Sequence, residues 1–582
     1  MTTSRTGQEP VSGTGPVPGT DADDVEGRRP GWPRWARWPG RDDRHRALAV
    51  RLAWPAGFVA TGLVLFFFYL RVSGTAAVSS DGASNALQAW DMLHGNPLLR
   101  GWTLSDVSFY TTELPQYAAV EFLHGLGPSV VHICAAMTYT LLVLLAALLA
   151  KGRATGREAW VRMLVAAGLM LAPQLGQGAP ILLLQPDHVG TEVPLLLVWL
   201  LIDRVGRRWY VPVAVGVILA VVAVGDKITL TVAVLPLAAV CGVLVYRNIF
   251  QRSEPVRAQW FEISLAVAAL VSYEVSRIVE HAISGHGGYV VQPLKDSFSL
   301  ITNMPAHAWL TFQGILGLYG ADFFGESIGP DAAFTVLHLV GVAVAVWAFC
   351  LAVRHFFRHD FVVQLLTAAI VVNVLSYTFS VLPGTYWGTR EIAAVLPLGA
   401  VLAGRLLAQR LIAARLVPAA AAALLCYLLA LGHGVTQPPA AAYGQNLANW
   451  LSAHHFTYGL ADYPEANVTT LDSGNRVQVR EPSWPAGFAF PGDYESKASW
   501  YDPHLHDANF VVALREPHGQ KSILYSDARR NFGPPARTYR VGQFIVMTWH
   551  KNLLTTIAAD VAAHPKLLQA GSGTQRSSPA SP

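Results

Sequence analysis

The residues best suited to chemistry lie in one polar stretch, DGASNALQAWDMLHGNP (81–97), directly after a long apolar run. It opens with an acid. At about 100° per residue, Asp81, Asn85 and Gln88 share one side of a helix. Ala83, Ala86, Leu87, Trp90 and Leu93 share the other. Such a helix is expected to lie flat on a membrane surface, apolar side down, with its carboxylate facing a cleft. A carboxylate at a partly dry interface can act as general base toward a hydroxyl. The same acid, just ahead of a helix, also reads as an N-cap. Asp91 reads as a solvated flank residue.

Other ionisable residues stand near the ends of apolar runs. Glu113, in YTTELPQY (110–117), is suited to supporting a base, binding a sugar hydroxyl or holding a metal ion; it also reads as a helix-start acid. Asp187 and His188 read as metal ligands or a substrate clamp, although one Asp and one His fall short of a complete metal site. Asp226 and Lys227 read as a mutual pair or the cap of a tight hairpin, with Lys227 alternatively meeting a phosphate. Arg390, in YWGTRE (386–391), suits bidentate phosphate binding; its rival roles are an interfacial anchor and an ion pair with Glu391. Glu280, His281 and His286 read as loop.

The elements that must position these groups are apolar runs. The chain has 582 residues, 52% hydrophobic and 14% charged, where a soluble domain has about a quarter charged. Runs of about 18 or more apolar residues define a polytopic membrane protein. We place about 11 spans, at 54–71, 129–150, 159–175, 189–203, 210–225, 228–246, 258–279, 331–353, 361–381, 391–409 and 416–433. Segments 176–190 and 303–325 are suited to re-entrant or interfacial positions. With the N-terminus inside, every inner loop is basic, for example Arg204/Arg207/Arg208 and Arg405/Arg410/Arg415. The chemistry-bearing residues then collect on the extracytoplasmic side, where charges at membrane mouths are functional candidates by default. The net charge of +4 is small and its Arg residues are spread over short loops, which argues against nucleic acid.

Residues 1–50 lack apolar periodicity and are expected to be disordered, their Arg- and Trp-rich end anchoring on anionic lipid. Residues 51–433 form the membrane domain, with a first outer loop at 72–128. Residues 434–565 read as an extracytoplasmic α/β or β-rich domain, with strand-like runs at 510–514 and 543–549, and 566–582 as a disordered tail. Cys134, Cys241, Cys350 and Cys426 lie in apolar runs and read as small buried hydrophobes. The sequon at Asn467–Thr469 reads as incidental. Abundant Ala, Gly and Val with scarce Lys fits a GC-rich bacterial genome.

The chain resembles the GT-C superfamily of polytopic glycosyltransferases, in particular its protein O-mannosyltransferase and aminoarabinose-transferase branch. There the first outer loop opens with an Asp-Glu pair and an amphipathic helix ending in Met-Leu-x-Gly. Asp81 and AWDMLHGN (89–96) are similar to that pattern. The family's Lys-Pro-Pro-Leu stretch resembles TELP (112–115), and its Arg-Tyr…Pro helix start resembles REIAAVLP (390–397). The resemblance covers about 50–250, with a second anchor near 385–400. Gly82 stands where the family has the second acid, Glu391 where it has an aromatic residue, and the Lys-Pro-Pro core is partly kept. The C-terminal region resembles the extracellular appendages of bacterial members.

The resemblance implies inverting transfer of a sugar from a polyprenyl-phosphate donor to a glycan, lipid or protein hydroxyl outside the cytoplasm. Asp81 would be the base, with Glu113 the first choice for its partner carboxylate. Arg390, with Lys227, would hold the phosphate, and Asn85, Gln88, His188 and Glu391 would line the substrate site. The resemblance fixes no cofactor; a divalent metal is a candidate, with Asp187 and His188 as its ligands. The readings from other classes are a transporter or flippase of lipid-linked glycans, which calls for mid-membrane polar residues and paired repeats, and a non-catalytic envelope-assembly scaffold.

Overall fold

A computed structural model describes residues 41–293, 297–326, 328–441, 444–515, 523 and 525–567. The expectations for the first 40 residues and the final tail lie outside these. The chain divides into two units, Met1–Ala60 and Thr61–Pro582, and the larger holds every feature of the site.

The first helix is α1 (Arg41–Ser73), so residues 41–50 are helical where disorder was expected. The first loop folds into α2 (Ser80–Leu93), β1 (Trp102–Leu104) and α3 (Leu114–His124). Then come α4 (Pro128–Lys151), α5 (Gly156–Met170), the short α6 (Gly178–Leu182), α7 (Val189–Val205) and α8 (Tyr210–Gly225). A π-helical turn, Leu230–Val234, leads into α9 (Leu235–Tyr246). There follow α10 (Trp260–Gly285), β2 (Val290–Val291), α11 (Met304–Leu318), α12 (Pro330–Arg354), α13 (Phe361–Phe379), α14 (Val395–Ala413) and α15 (Val417–Thr436).

Each predicted span coincides with one of these helices. Among the described residues, seven are long and apolar enough to cross a membrane by length and composition. The chain is a polytopic α-helical membrane protein. In the bundle α14 and α4 are central, 72% and 67% buried, whereas α15 is 22% buried and presents its apolar surface outward. That outward surface corrects one expectation: Cys350 on α12 and Cys426 on α15 are exposed, and only Cys134 and Cys241 are buried. An apolar run in a bilayer can face lipid as readily as protein. At the end of the bundle far from the cleft, buried Arg405 on α14 pairs with Asp203 at 2.8 Å and Asp360 at 3.3 Å, tying α7 and α13 to the core.

The C-terminal region comprises α16 (Gln445–Ala453), β3 (Tyr458–Leu460), α17 (Tyr463–Asp472), β4 (Gln478–Arg480), β5 (Pro482–Ser483), β6 (Phe490–Pro491) and β7 (Ser496–Lys497). It ends with β8 (Phe510–Leu514), α18 (Tyr525–Phe532), β9 (Arg537–Val541), β10 (Phe544–Thr548) and α19 (Leu554–Ala563). Five strands form a mixed sheet in the order β4-β3-β8-β10-β9, with β3 parallel to both neighbours. The two strand-like runs of the sequence are β8 and β10. Helix α17 buries Asn467 and Thr469, which closes the sequon.

Two contacts set this region on the first loop. Strand β1 pairs antiparallel with β7 (Trp102 opposite Lys497), and Lys497 Nζ lies 3.0 Å from Asp91. Asp91 also accepts from Trp102 Nε1 at 2.7 Å, so it is a structural anchor and not a solvated flank residue. Helix α2 lies between α3, α4 and α17 with both faces covered. The surface-lying amphipathic helix expected from the sequence is therefore an enclosed one. Its small residues Gly82, Ala83, Ala86 and Ala89 allow that approach on every side.

Candidate active site

Asp81 is one residue inside α2. The cap is Ser79, whose Oγ accepts from Gly82 N at 3.1 Å. Asp81 is thus released from capping and lines a small, partly open cleft. Its apolar lining comes from Pro180, Ile181 and Leu184 around α6 and from Trp387. Its polar lining includes Asp81, Gln185, Asp187, Arg390 and Tyr463.

Arg390 links the acids of the polar lining. Its Nη1 donates to Asp81 Oδ2 at 2.9 Å and lies 3.7 Å from Asp187 Oδ2. Burial disfavours its charge, but Asp81 and Asp187 hold the guanidinium above its ordinary pKa. Asp187 accepts from Asn85 Nδ2 at 2.8 Å and from Gln185 Nε2 at 2.7 Å. Burial pushes the Asp187 carboxyl up to about 6; Arg390 opposes this, and the Asp81 charge adds to it.

Next to the cleft, outside its lining, is a second polar cluster. His188 opens α7 with φ 61° and bridges two carboxylates: Nδ1 to Asp226 Oδ2 at 2.9 Å and Nε2 to Glu391 Oε1 at 3.3 Å. Burial lowers its pKa, yet Glu391 and Asp226 outweigh that and raise it to about 10. It is an imidazolium at neutral pH. Asp226 is burdened by burial, and His188 with the Ile228 and Thr191 hydrogen bonds keeps it below its ordinary value. His188 therefore ties the 3₁₀ segment Tyr386–Ile392, which carries Arg390, to α7 and to the turn after α8.

The structure separates the candidates that the sequence grouped. Asp81, Asp187, Asn85 and Arg390 come together, with His188 and Glu391 immediately behind. Glu113 does not reach Asp81. It is buried beyond the His188–Asp226 pair, 3.3 Å from Thr191 Oγ1, and burial followed by Asp226 holds it well above the carboxylate range. Its nearness to Asp81 in sequence misleads because α3 turns it inward against Gly190. Gln88 is buried against Ser84 at 3.1 Å and does not line the cleft. Lys227 neither lines the cleft nor pairs with Asp226, which His188 engages. It lies beside Glu280, in the final turns of α10, which run through residues expected to be loop. Asp187 and His188 do not fit a metal: their ring nitrogens and carboxylate oxygens are taken by Arg390, amides and carboxylates. Among the described residues no group of three or more His, Cys, Asp and Glu side chains is arranged to hold one.

One cleft residue, Tyr463, and the Glu495 behind it carried no signal in the sequence. Both come from the C-terminal region; Tyr463 Oη donates to Asp81 Oδ1 at 2.9 Å and also contacts Glu495 Oε2. Gly82 has a steric cause. A Cβ there would lie 2.8 Å from Val131 Cγ1 and 3.3 Å from Gln185 Oε1, so an acid at that position would have to push the Val131 side chain aside and crowd Gln185.

The fold is of the GT-C type expected from the sequence. A solved structure of this fold is ArnT from Cupriavidus metallidurans bound to undecaprenyl phosphate: TM-score 0.51, 12% identity, 85% of this chain and 98% of that one covered. An oligosaccharyltransferase from Archaeoglobus fulgidus tethered with an acceptor peptide is similar at TM-score 0.44 and 13% identity, over 79% of this chain and 69% of that one. No family model and no curated protein matches the sequence.

Proposed function

We propose that this chain is a membrane glycosyltransferase. It moves a sugar from a polyprenyl-phosphate donor to an acceptor hydroxyl, with inversion, in a cleft on the extracytoplasmic side; the N-terminus is cytoplasmic. The observation that carries this reading is the Asp81–Arg390 contact in a cleft also lined by the apolar side chains of Pro180, Ile181, Leu184 and Trp387. A carboxylate and a guanidinium side by side match the two charged demands of the reaction, and the apolar lining suits an isoprenoid chain. A protein of the same fold was solved with undecaprenyl phosphate bound, which supports that donor class.

The donor phosphate competes with Asp81 and Asp187 for the guanidinium. A phosphodiester oxygen pair accepts the bidentate fork of Arg390, which frees Asp81 Oδ2. The acceptor hydroxyl then donates to Asp81. As Asp81 takes its proton, the hydroxyl oxygen bonds to the anomeric carbon and the bond from that carbon to the phosphate oxygen breaks. The polyprenyl phosphate leaves with the electron pair, its charge balanced by Arg390.

The test is sugar release from labelled polyprenyl-phosphate sugars by the purified protein in lipid nanodiscs, with envelope glycan, lipid and peptide fractions as acceptors. The wild type is expected to transfer, and Arg390→Ala to lose donor affinity by about 100-fold, as for a charge-assisted bidentate contact. Donor flipped across a vesicle membrane without transfer would replace this reading with that of a transporter.

A further inference from the structure

Tyr463 and Glu495 belong to the C-terminal region, yet Tyr463 reaches the cleft carboxylate Asp81 and Glu495 contacts Tyr463. Tyr463 is held from below, where Ser80 Oγ donates to its carbonyl at 2.7 Å and α17 packs along α2. Glu495 directly precedes β7, which β1 pins. Both are buried, at 8% and 4% exposure.

A phenol has one proton. Tyr463 cannot donate to Asp81 and Glu495 together, and ionised carboxylates only accept. The trio needs one more proton. Asp81 has Arg390 at 2.9 Å to balance a negative charge. Glu495 has no cation within ion-pairing distance among the described residues. The groups facing it are Asp81 and Ser84 from α2, Tyr463 from α17, Asp187 ahead of α7 and neighbouring Tyr494. None is a cation. Burial, and then the Asp81 charge, hold the Glu495 carboxyl well above its ordinary range.

We propose that Glu495 is a neutral carboxylic acid that donates to Tyr463 Oη, so that Tyr463 donates its own proton to Asp81. The C-terminal region is then a positioning part of the site. A second carboxyl group is thus linked to the base through Tyr463 from position 495, whereas a side chain at position 82 would crowd Val131 and Gln185. Tyr463 occupies Oδ1 and fixes the carboxylate plane, leaving Oδ2 for the acceptor once phosphate draws Arg390 away. This inference rests on the base role proposed for Asp81.

The test uses the full chain in nanodiscs. Tyr463→Phe is expected to lower kcat by about tenfold, the worth of one hydrogen bond to a charged group, with donor KM within about twofold. Glu495→Ala should do the same. Glu495→Gln, whose amide can donate to Tyr463, should recover to within about threefold of wild type. Infrared difference spectra at neutral pH should show the carbonyl stretch of a protonated acid in the wild type, absent in Glu495→Gln. That band reports on Glu495 in a protein that transfers no sugar, so failure of the transferase reading and failure of this inference are read separately. Absence of the band, or Glu495→Gln as impaired as Glu495→Ala in properly folded protein, would overturn the inference.

Discussion

Arg390 is shared by two carboxylates, and this sets how a phosphate competes for it. Asp81 and Asp187 both attract the guanidinium, and Asp187 titrates near 6. Protonating Asp187 removes one competitor, whereas a phosphodiester donor keeps its charge through this range. Donor affinity should therefore rise as pH falls through about 6. In Asp187→Asn that rise should vanish. Binding titrations with a non-transferable donor analogue check this; a flat profile in the wild type would contradict it. At this scale the sequence was informative about Asp81 and Arg390, because an acid and an arginine at span ends stand out against apolar surroundings. It was uninformative about Tyr463 and Glu495. They lie in a region of ordinary polarity, and only the pairing of β1 with β7 and the packing of α17 on α2 bring them in.

At the scale of elements, two junctions hold the cleft in shape. The first is α2 against α4 at Gly82. An added methyl group meets Val131 and Gln185, and Gln185 orients Asp187. Gly82→Ala is expected to destabilise the protein by about 1–3 kcal/mol through overpacking and to weaken donor binding. Thermal unfolding in detergent measures the first, and an unchanged midpoint would contradict the close contact. Read from sequence, Gly82 is a missing acid; in the structure it is a close contact that a side chain would crowd. The second junction is His188, with its imidazolium between Asp226 and Glu391. Its folded pKa, about 10, is above the ordinary 6.5. The group therefore stabilises the fold fully below 6.5, and that contribution is lost as pH rises through about 10. The unfolding midpoint should fall by several degrees across that alkaline range, and the fall should be smaller in His188→Gln. The adjacent Asp187-His188 pair was legible as polar residues ahead of a span. Their actual partners were not, because the turn after α8 and the segment before α14 are distant in sequence.

Over the whole molecule, apolar runs were sufficient to locate the bundle, since burial in lipid leaves few alternatives to helices. The amphipathic reading of α2 failed for a reason of scale. Periodicity in one helix does not report what meets its polar face, and here Asn85 meets Asp187 while Asp81 meets Arg390 and Tyr463. The cleft is consequently a composite of the bundle, the first loop and that region, and each supplies a group that touches Asp81 or its partners. The central claim is that Asp81 takes the acceptor proton there. It is tested most directly by single-turnover sugar transfer from bound polyprenyl-phosphate donor in Asp81→Asn. The asparagine preserves shape and can still contact Tyr463. The account predicts intact donor binding and a transfer rate lower by about 10²–10⁴-fold, the usual contribution of a general base. Transfer at the wild-type rate in Asp81→Asn would contradict it.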